Sequence, residues 1–109
     1  MQESPVTVEE VREAQQYLKT GMTQSEGKNF NDASETFKKS ASVHPFDKKH
    51  IDELEQKLKA GGFKKQQECM AYMGCAAVHL KQLIAELSDE QKAEVPIDDQ
   101  LLEVFNDWD

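Results

Sequence analysis

The 109-residue chain carries 13 lysine and arginine residues against 21 aspartate and glutamate residues, so its formal net charge is −8 at pH 7. Its hydrophobic content of 38% is typical of a folded globular protein, and its length corresponds to one domain that needs neither a metal nor disulfides for stability. The acidic balance and the single arginine, Arg12, argue against a nucleic-acid-binding protein, because phosphate recognition depends on clustered lysine and arginine.

The first predicted helix begins after Thr7. Thr7 and Glu10 have the spacing of a capping box, which satisfies two free backbone N–H groups at the start of a helix. The helix is predicted to reach about Met22, and the segment TQSEGKN, residues 23–29, is predicted to be a break. One face of this helix carries the apolar residues Val8, Val11, Ala14, Leu18 and Met22.

A second helix is predicted between this break and Pro45. Asn31 or Asp32 can cap its start. It is predicted to reach about Val43, because Pro45 disfavours helical geometry at His44. Its predicted buried stripe consists of Ala33, Phe37, Ser40 and Ala41.

Two further helices are predicted on either side of a glycine pair, Gly61 and Gly62. Asp47 is predicted to cap the third helix, and the glycine pair supplies a left-handed stop. The apolar residues of the third helix are Ile51, Leu54 and Leu58. The fourth helix spans residues 63–87 and is the predicted main core helix, with one apolar side formed by Cys69, Met73, Ala76, Leu80, Leu83, Ile84 and Leu87. A second side carries residues that would let another helix approach closely: Ala71, Gly74, Val78 and Ala85.

Two short helices are predicted at the C-terminus. Ser88 and Gln91 form a second capping box for a helix that Pro96 stops, and Asp98 is predicted to cap the last segment, DQLLEVFNDWD. No segment shows the alternation of a β-strand, so the predicted fold class is all-α. The predicted organisation is a flexible N-terminus of residues 1–6, a single helical domain of residues 7–95 and an acidic amphipathic segment of residues 96–109.

The C-terminal segment holds most of the excess negative charge, since residues 88–109 contain eight acids and one base. Four large apolar residues lie among these acids on one predicted helix face, and we expect them to be covered. The segment either folds back as a cap over the helical stack or docks in a groove of a partner as an acidic amphipathic helix. The predicted partner-binding residues are these four: Leu101, Leu102, Phe105 and Trp108.

Five residues of the first two predicted helices follow the spacing of a known repeat: Tyr17, Gly21, Ala33, Phe37 and Pro45. They occupy the aromatic, glycine, alanine, phenylalanine and closing proline positions of the tetratricopeptide repeat, which residues 14–47 therefore resemble. Thr20 and Gln24 depart from the leucine and tyrosine of the family, and a degenerate second unit covers residues 48–81. The resemblance implies antiparallel helical hairpins built from four main helices, plus short C-terminal helices, and a groove that binds a partner protein.

Cys75 and His79 are the residues with the strongest candidate chemistry. Their spacing of four residues on a helix could place a thiolate and an imidazole on one metal, or pair a nucleophile with a base. However, a zinc site needs three or four protein ligands, and neither a third ligand motif nor a glycine-rich loop accompanies the pair. The sequence therefore predicts no enzyme, no metal and no cofactor, with a thiol or metal protein as a further alternative.

No targeting or membrane segment is predicted. The first ten residues, MQESPVTVEE, lack the basic and apolar regions of a signal peptide, and the most apolar stretch, residues 69–80, is too short to span a bilayer. Cys69 and Cys75 point in different directions from one predicted helix, so we expect no disulfide between them. These features predict a cytoplasmic protein.

The sequence as a whole predicts a small protein–protein interaction module that acts as an adaptor, an assembly chaperone or a regulator. Its expected partner is another protein, bound through a helical groove or face, with neither nucleic acid nor membrane involved. The open end of a two-unit stack also allows a homodimer. The alternative is an acidic inhibitor that blocks the basic, nucleic-acid-binding surface of a target enzyme.

Overall fold

The computed structural model describes residues 6–43 and 49–107. Within these residues the chain forms helices and no strand, which confirms the all-α prediction for this part of the chain. The helices are α1 (Val8–Glu26), α2 (Phe30–Ala41), α3 (Lys49–Gly61), α4 (Lys65–Ala85), α5 (Asp89–Glu94) and α6 (Asp99–Asp107). The predicted roles of Pro45, Asp47 and Trp108 fall on positions outside the described residues.

Helix α1 begins at the predicted capping box and extends further than predicted. The Glu10 N–H donates to Thr7 Oγ1 at 3.2 Å, and the Thr7 N–H donates to Glu10 Oε1 at 3.0 Å. The prediction of a break from residue 23 was wrong, because polar residues on the exposed side continue the helix to Glu26. The chain then reverses at Gly27 and at Lys28, whose φ of 65° is left-handed.

Helix α2 starts one residue before the earlier of the two predicted caps. Asn29 occupies the N-cap position without a side-chain hydrogen bond, so Asn31 and Asp32 lie inside the first turn. The side chain of Asn31 is bound elsewhere, since Oδ1 accepts a hydrogen bond from Lys65 Nζ at 2.9 Å. The buried residues of α2 are the four predicted ones: Ala33, Phe37, Ser40 and Ala41.

The packing of α1 against α2 depends on a glycine. A Cβ atom built on Gly21 would lie 2.5 Å from Cε1 of the fully buried Phe37 ring, so the close approach of the ring requires the absence of a side chain. Further along the same interface, Ser40 Oγ donates to the Ala14 carbonyl at 2.8 Å. The resulting interface is tight and contains one satisfied buried hydroxyl.

Helix α4 lies at the centre of the fold and packs against α1, α2, α3 and α6. It is shorter than the predicted span of residues 63–87, because left-handed Gly62 (φ 63°) is followed by a new helix start at Lys65. Its buried residues are Cys69, Tyr72, Gly74, Ala76, Ala77, Leu80 and Leu83. Met73 and Ile84 of the predicted stripe are only partly buried.

The terminal segments share this core. Val6 is buried, so the packed domain includes a residue from the predicted flexible N-terminus. In the C-terminal segment, Val95, Leu101, Val104 and Phe105 belong to the same hydrophobic cluster as the main helices. Helix α6 therefore lies against α4, and the short helix α5 contacts α1.

Candidate interaction surfaces

The predicted Cys75 and His79 pair serves the packing of helices. His79 Nε2 lies 2.6 Å from the carbonyl oxygen of Val43, just beyond the end of α2, so this imidazole joins α4 to α2. Burial raises the pKa of the Cys75 thiol, which favours the neutral form over a reactive or metal-binding thiolate. Within residues 6–43 and 49–107, no group of three or more potential ligand side chains converges on a point that could hold a metal.

A charged cluster joins α2, α3 and α4 around Lys38. Lys38 Nζ lies 3.0 Å from Glu35, 3.8 Å from Glu55 and 5.3 Å from the centre of the Tyr72 ring. Burial of Lys38 favours the neutral amine, but the hydrogen bond and the charge of Glu35, with the charge of Glu55, outweigh it and raise the Lys38 pKa. Burial also raises the pKa of Tyr72. The cluster is thus a charged and aromatic contact that holds α3 against the core.

The C-terminal segment is fixed to α1 by two cations. Arg12 Nη2 donates to the Glu94 carbonyl at 3.2 Å, and Lys19 forms an ion pair with Asp98. The hydrogen bond from Lys19, followed by the N–H of Leu101, lowers the Asp98 pKa. Between these cations on α1, Gln15 has a buried Nε2 atom without a hydrogen-bond partner in the part of the chain that the structure describes.

The predicted partner-binding residues divide into two groups. Leu101 and Phe105 are buried against the core, whereas Leu102 is 50% exposed; Trp108 is not among the described residues. Val104 is buried against the core, whereas the sequence analysis had placed Leu102 on that face and did not assign Val104 to it. The signal was present, since Leu101, Val104 and Phe105 have the i, i+3, i+4 spacing of one helix face.

Several lysine and asparagine side chains surround an open depression at the start of α2, lined by Lys28, Asn29, Phe30, Asn31, Asp32 and Lys65. Lys65 already donates to Asn31, and Asp32 places a carboxylate between the two cations. Because one of its two cations is already bound within the chain and the depression is open to solvent, it is not a strong candidate for a ligand site.

Apart from Phe63, which is exposed between α3 and α4 with its ring against Gly61, the large apolar side chains in contact with solvent among the described residues form two surfaces. The first, which we call the α4 surface, consists of Met70 and Val78 on the outward side of α4; Met70 is 48% and Val78 is 42% exposed, whereas Gly74 between them is buried and Ala71 packs against the core. The sequence analysis placed Val78 on the second side of the fourth helix, where another helix was expected to approach. The second, which we call the α6 surface, consists of exposed Ile97 and Leu102 together with the exposed acids Asp99, Glu103 and Asp107.

Comparison of the chain with protein-family models, with curated proteins and with solved structures gave no significant match. The resemblance to the tetratricopeptide repeat therefore stands on the sequence spacing alone. Among the described residues, no helix is long and apolar enough to cross a bilayer. The two surfaces are consequently the structural features from which a function can be argued.

Proposed function

We propose that the chain is a protein–protein interaction module without an active site, which binds a helix of another protein on the α4 surface. The observation that carries this proposal is the exposure of Met70 and Val78 on the outward side of the central helix. Met70 and Val78 are eight residues apart, which places them about two turns from each other along α4.

The two exposed apolar side chains of the α4 surface suit a helical partner. Covering the exposed parts of Met70 and Val78 would contribute about 1–3 kcal/mol of hydrophobic stabilisation. A partner helix could contact both side chains, because residues seven or eight positions apart on one of its own faces have the same spacing. An adaptor, an assembly chaperone or a regulator would use such a surface, and each requires that the helical scaffold stay folded without the partner.

The repeat interpretation belongs to the same proposal. The contact between Gly21 and Phe37 supports an antiparallel hairpin of α1 and α2, with α3 and α4 as a divergent second hairpin. Helix α2 packs extensively on α4, whereas α3 makes few contacts with α4. A second hairpin whose two helices contact each other so little fits a divergent repeat unit better than a regular one. Homodimer formation and a cytoplasmic location remain predictions of the sequence.

The experiment compares three immobilised forms of the full chain as baits in a cell lysate. The α4-surface variant carries Met70→Glu and Val78→Glu, and the control carries Ala60→Glu and Ala93→Glu, which add the same two charges at exposed positions of α3 and α5. Circular dichroism first verifies that all three forms have the same helix content. Quantitative mass spectrometry then measures the proteins retained by each bait.

We expect at least one protein to be retained by the wild-type chain and by the control, and to be depleted about tenfold or more on the α4-surface variant. The proposal fails if all three baits retain the same proteins at the same levels. It also fails if both variants lose the same proteins, since that result assigns the loss to added charge rather than to the α4 surface.

A further inference from the structure

The outward side of the C-terminal segment exposes two large apolar residues although its inward side is part of the core. Leu102 is 50% exposed and Ile97 is 41% exposed, whereas Leu101 and Phe105 are buried. Helix α6 therefore packs one apolar side on the core and exposes Leu102 to solvent, and Ile97 is exposed just before the helix begins. A helix face of this kind is typical of a surface that a partner covers.

The acids around Leu102 are arranged unfavourably for an isolated helix. Asp99, Glu103 and Asp107 follow one another at intervals of four residues, so successive carboxylates face each other along one ridge and repel. No basic residue lies in the last turn of α6, although a cation there would interact favourably with the helix dipole. Within the described residues, none of these three carboxylates forms an ion pair, unlike Glu35 and Glu55 beside Lys38.

These charges decide the chemistry of the partner. Cations placed along the ridge would remove the repulsion between the carboxylates and improve the interaction with the helix dipole. A second copy of the chain, whose net charge is also −8, would instead bring acids against acids, and a nucleic acid would be repelled for the same reason. The apolar residues beside the ridge further require that the partner present apolar side chains as well as cations.

We propose that the α6 surface binds a basic amphipathic helix of a partner protein. Lysine or arginine side chains of that helix lie against Asp99, Glu103 and Asp107, and its apolar side chains cover Leu102 and Ile97. This surface is separate from the α4 surface, and the proposal does not depend on the function proposed above.

The test measures binding of a fluorescein-labelled synthetic helix of lysine and leucine to the full chain by fluorescence anisotropy. A helix in which every lysine is replaced by glutamate serves as the control peptide. The ridge variant carries Asp99→Asn, Glu103→Gln and Asp107→Asn. Its matched control carries Glu13→Gln, Glu26→Gln and Glu53→Gln, three exposed acids elsewhere, so that each variant raises the net charge by the same three units.

We expect the ridge variant to weaken binding of the basic helix about tenfold and the matched control to weaken it less than about threefold. Leu102→Ser should weaken binding more than Val78→Ser, which removes a similarly exposed side chain from the other surface. Equal weakening by the ridge variant and by its control would overturn the proposal, because only net charge would then matter. Binding of the acidic control helix with the same affinity, or no binding of the basic helix, would overturn it as well.

A second measurement uses no ligand. The ridge variant relieves the repulsion between carboxylates but also removes Asp99 from the first turn of α6, where an acid interacts favourably with the helix dipole, so it should retain the unfolding temperature of the wild-type chain within a few degrees. Binding would thus be lost while stability is retained, which an unfolded or damaged variant cannot show. An unfolding temperature of the ridge variant more than a few degrees below that of its control would contradict the electrostatic argument.

Discussion

Ser40 of α2 donates a hydrogen bond from Oγ to the main-chain carbonyl of Ala14 in α1, at 2.8 Å and fully shielded from solvent. The hydroxyl is a buried polar group within the contact between the two helices. As an interior residue of α1, Ala14 also has a carbonyl that accepts the helical N–H from four residues later. The bond to Ser40 is therefore an additional link between the two helices.

We expect Ser40→Ala to lower the free energy of unfolding by about 1 kcal/mol, because it removes this link while leaving the Ala14 carbonyl bound within its helix. Ser42→Ala is the control, since Ser42 Oγ donates to the Lys38 carbonyl at 2.8 Å in an exposed position and its loss should change stability by less than about 0.5 kcal/mol. Urea denaturation followed by circular dichroism measures both values. Equal effects of the two substitutions would show that burial of the Ser40 hydroxyl is unimportant.

Gly21→Ala should destabilise the protein by about 1–2 kcal/mol, although alanine is the better helix former. Overpacking against the Phe37 ring costs about 1–3 kcal/mol, and the gain in helix propensity offsets about 1 kcal/mol of it. Gly27→Ala is the control, because Gly27 has a φ of −79° and the nearest atom to an added Cβ lies at 3.4 Å. It should leave stability nearly unchanged.

The assignment of this cost to Phe37 can be tested separately. In a double-mutant cycle with Phe37→Leu, we expect the two changes together to cost less than the sum of the single changes by about 0.5 kcal/mol or more. Additive costs would mean that the added methyl group of Gly21→Ala meets some other part of the core.

The ion pair between Lys19 and Asp98 makes the docking of α6 dependent on pH. The folded-state pKa of Asp98 is lowered, so its contribution to stability is present above the ordinary aspartate pKa and is lost as pH falls through the lowered value. Lys19→Met should move the Asp98 pKa back towards its ordinary value. Carboxyl NMR titration of both proteins measures the change, and an unchanged Asp98 pKa would contradict the assigned cause.

Lys38→Met should loosen α3 more than the rest of the fold. The substitution keeps much of the apolar stem but removes the cation that contacts Glu55 and the Tyr72 ring, at a cost of about 1 kcal/mol. Hydrogen exchange of residues 49–61 should accelerate more than that of α1. Lys39→Met, at the adjacent exposed position, provides the control, and the same acceleration in both variants would exclude the Lys38 cluster as the cause.

Sequence periodicity predicted the helices well where one apolar face was unambiguous. Both side-chain capping boxes, at Thr7 and at Ser88, and the left-handed stop at Gly62 are confirmed, because each depends on residues that are close in sequence. The end of α1 was predicted too early, since polar residues were read as a break although they can also form the exposed side of a helix.

The buried face of α6 was only partly predicted, although its own residues indicate it. Leu101 and Leu102 are adjacent and equally apolar, but only Leu101 shares the i, i+3, i+4 spacing with Val104 and Phe105. The ion pair that joins Asp98 to Lys19 across 79 positions, by contrast, could not be predicted from the residues of α6. The Lys38 cluster was missed for the same reason, because it combines residues of three helices.

The bonds from Arg12 and Lys19 to the C-terminal segment join residues separated by 82 and 79 positions. The residues that form these contacts are far apart in sequence. Helices α1 and α2, in contrast, are joined by a connection of only three residues. Closing the short connection between α1 and α2 costs less chain entropy than joining the start of α6 to α1. We therefore expect the contacts between α6 and α1 to form late in folding, on a surface that α1, α2 and α4 have already formed.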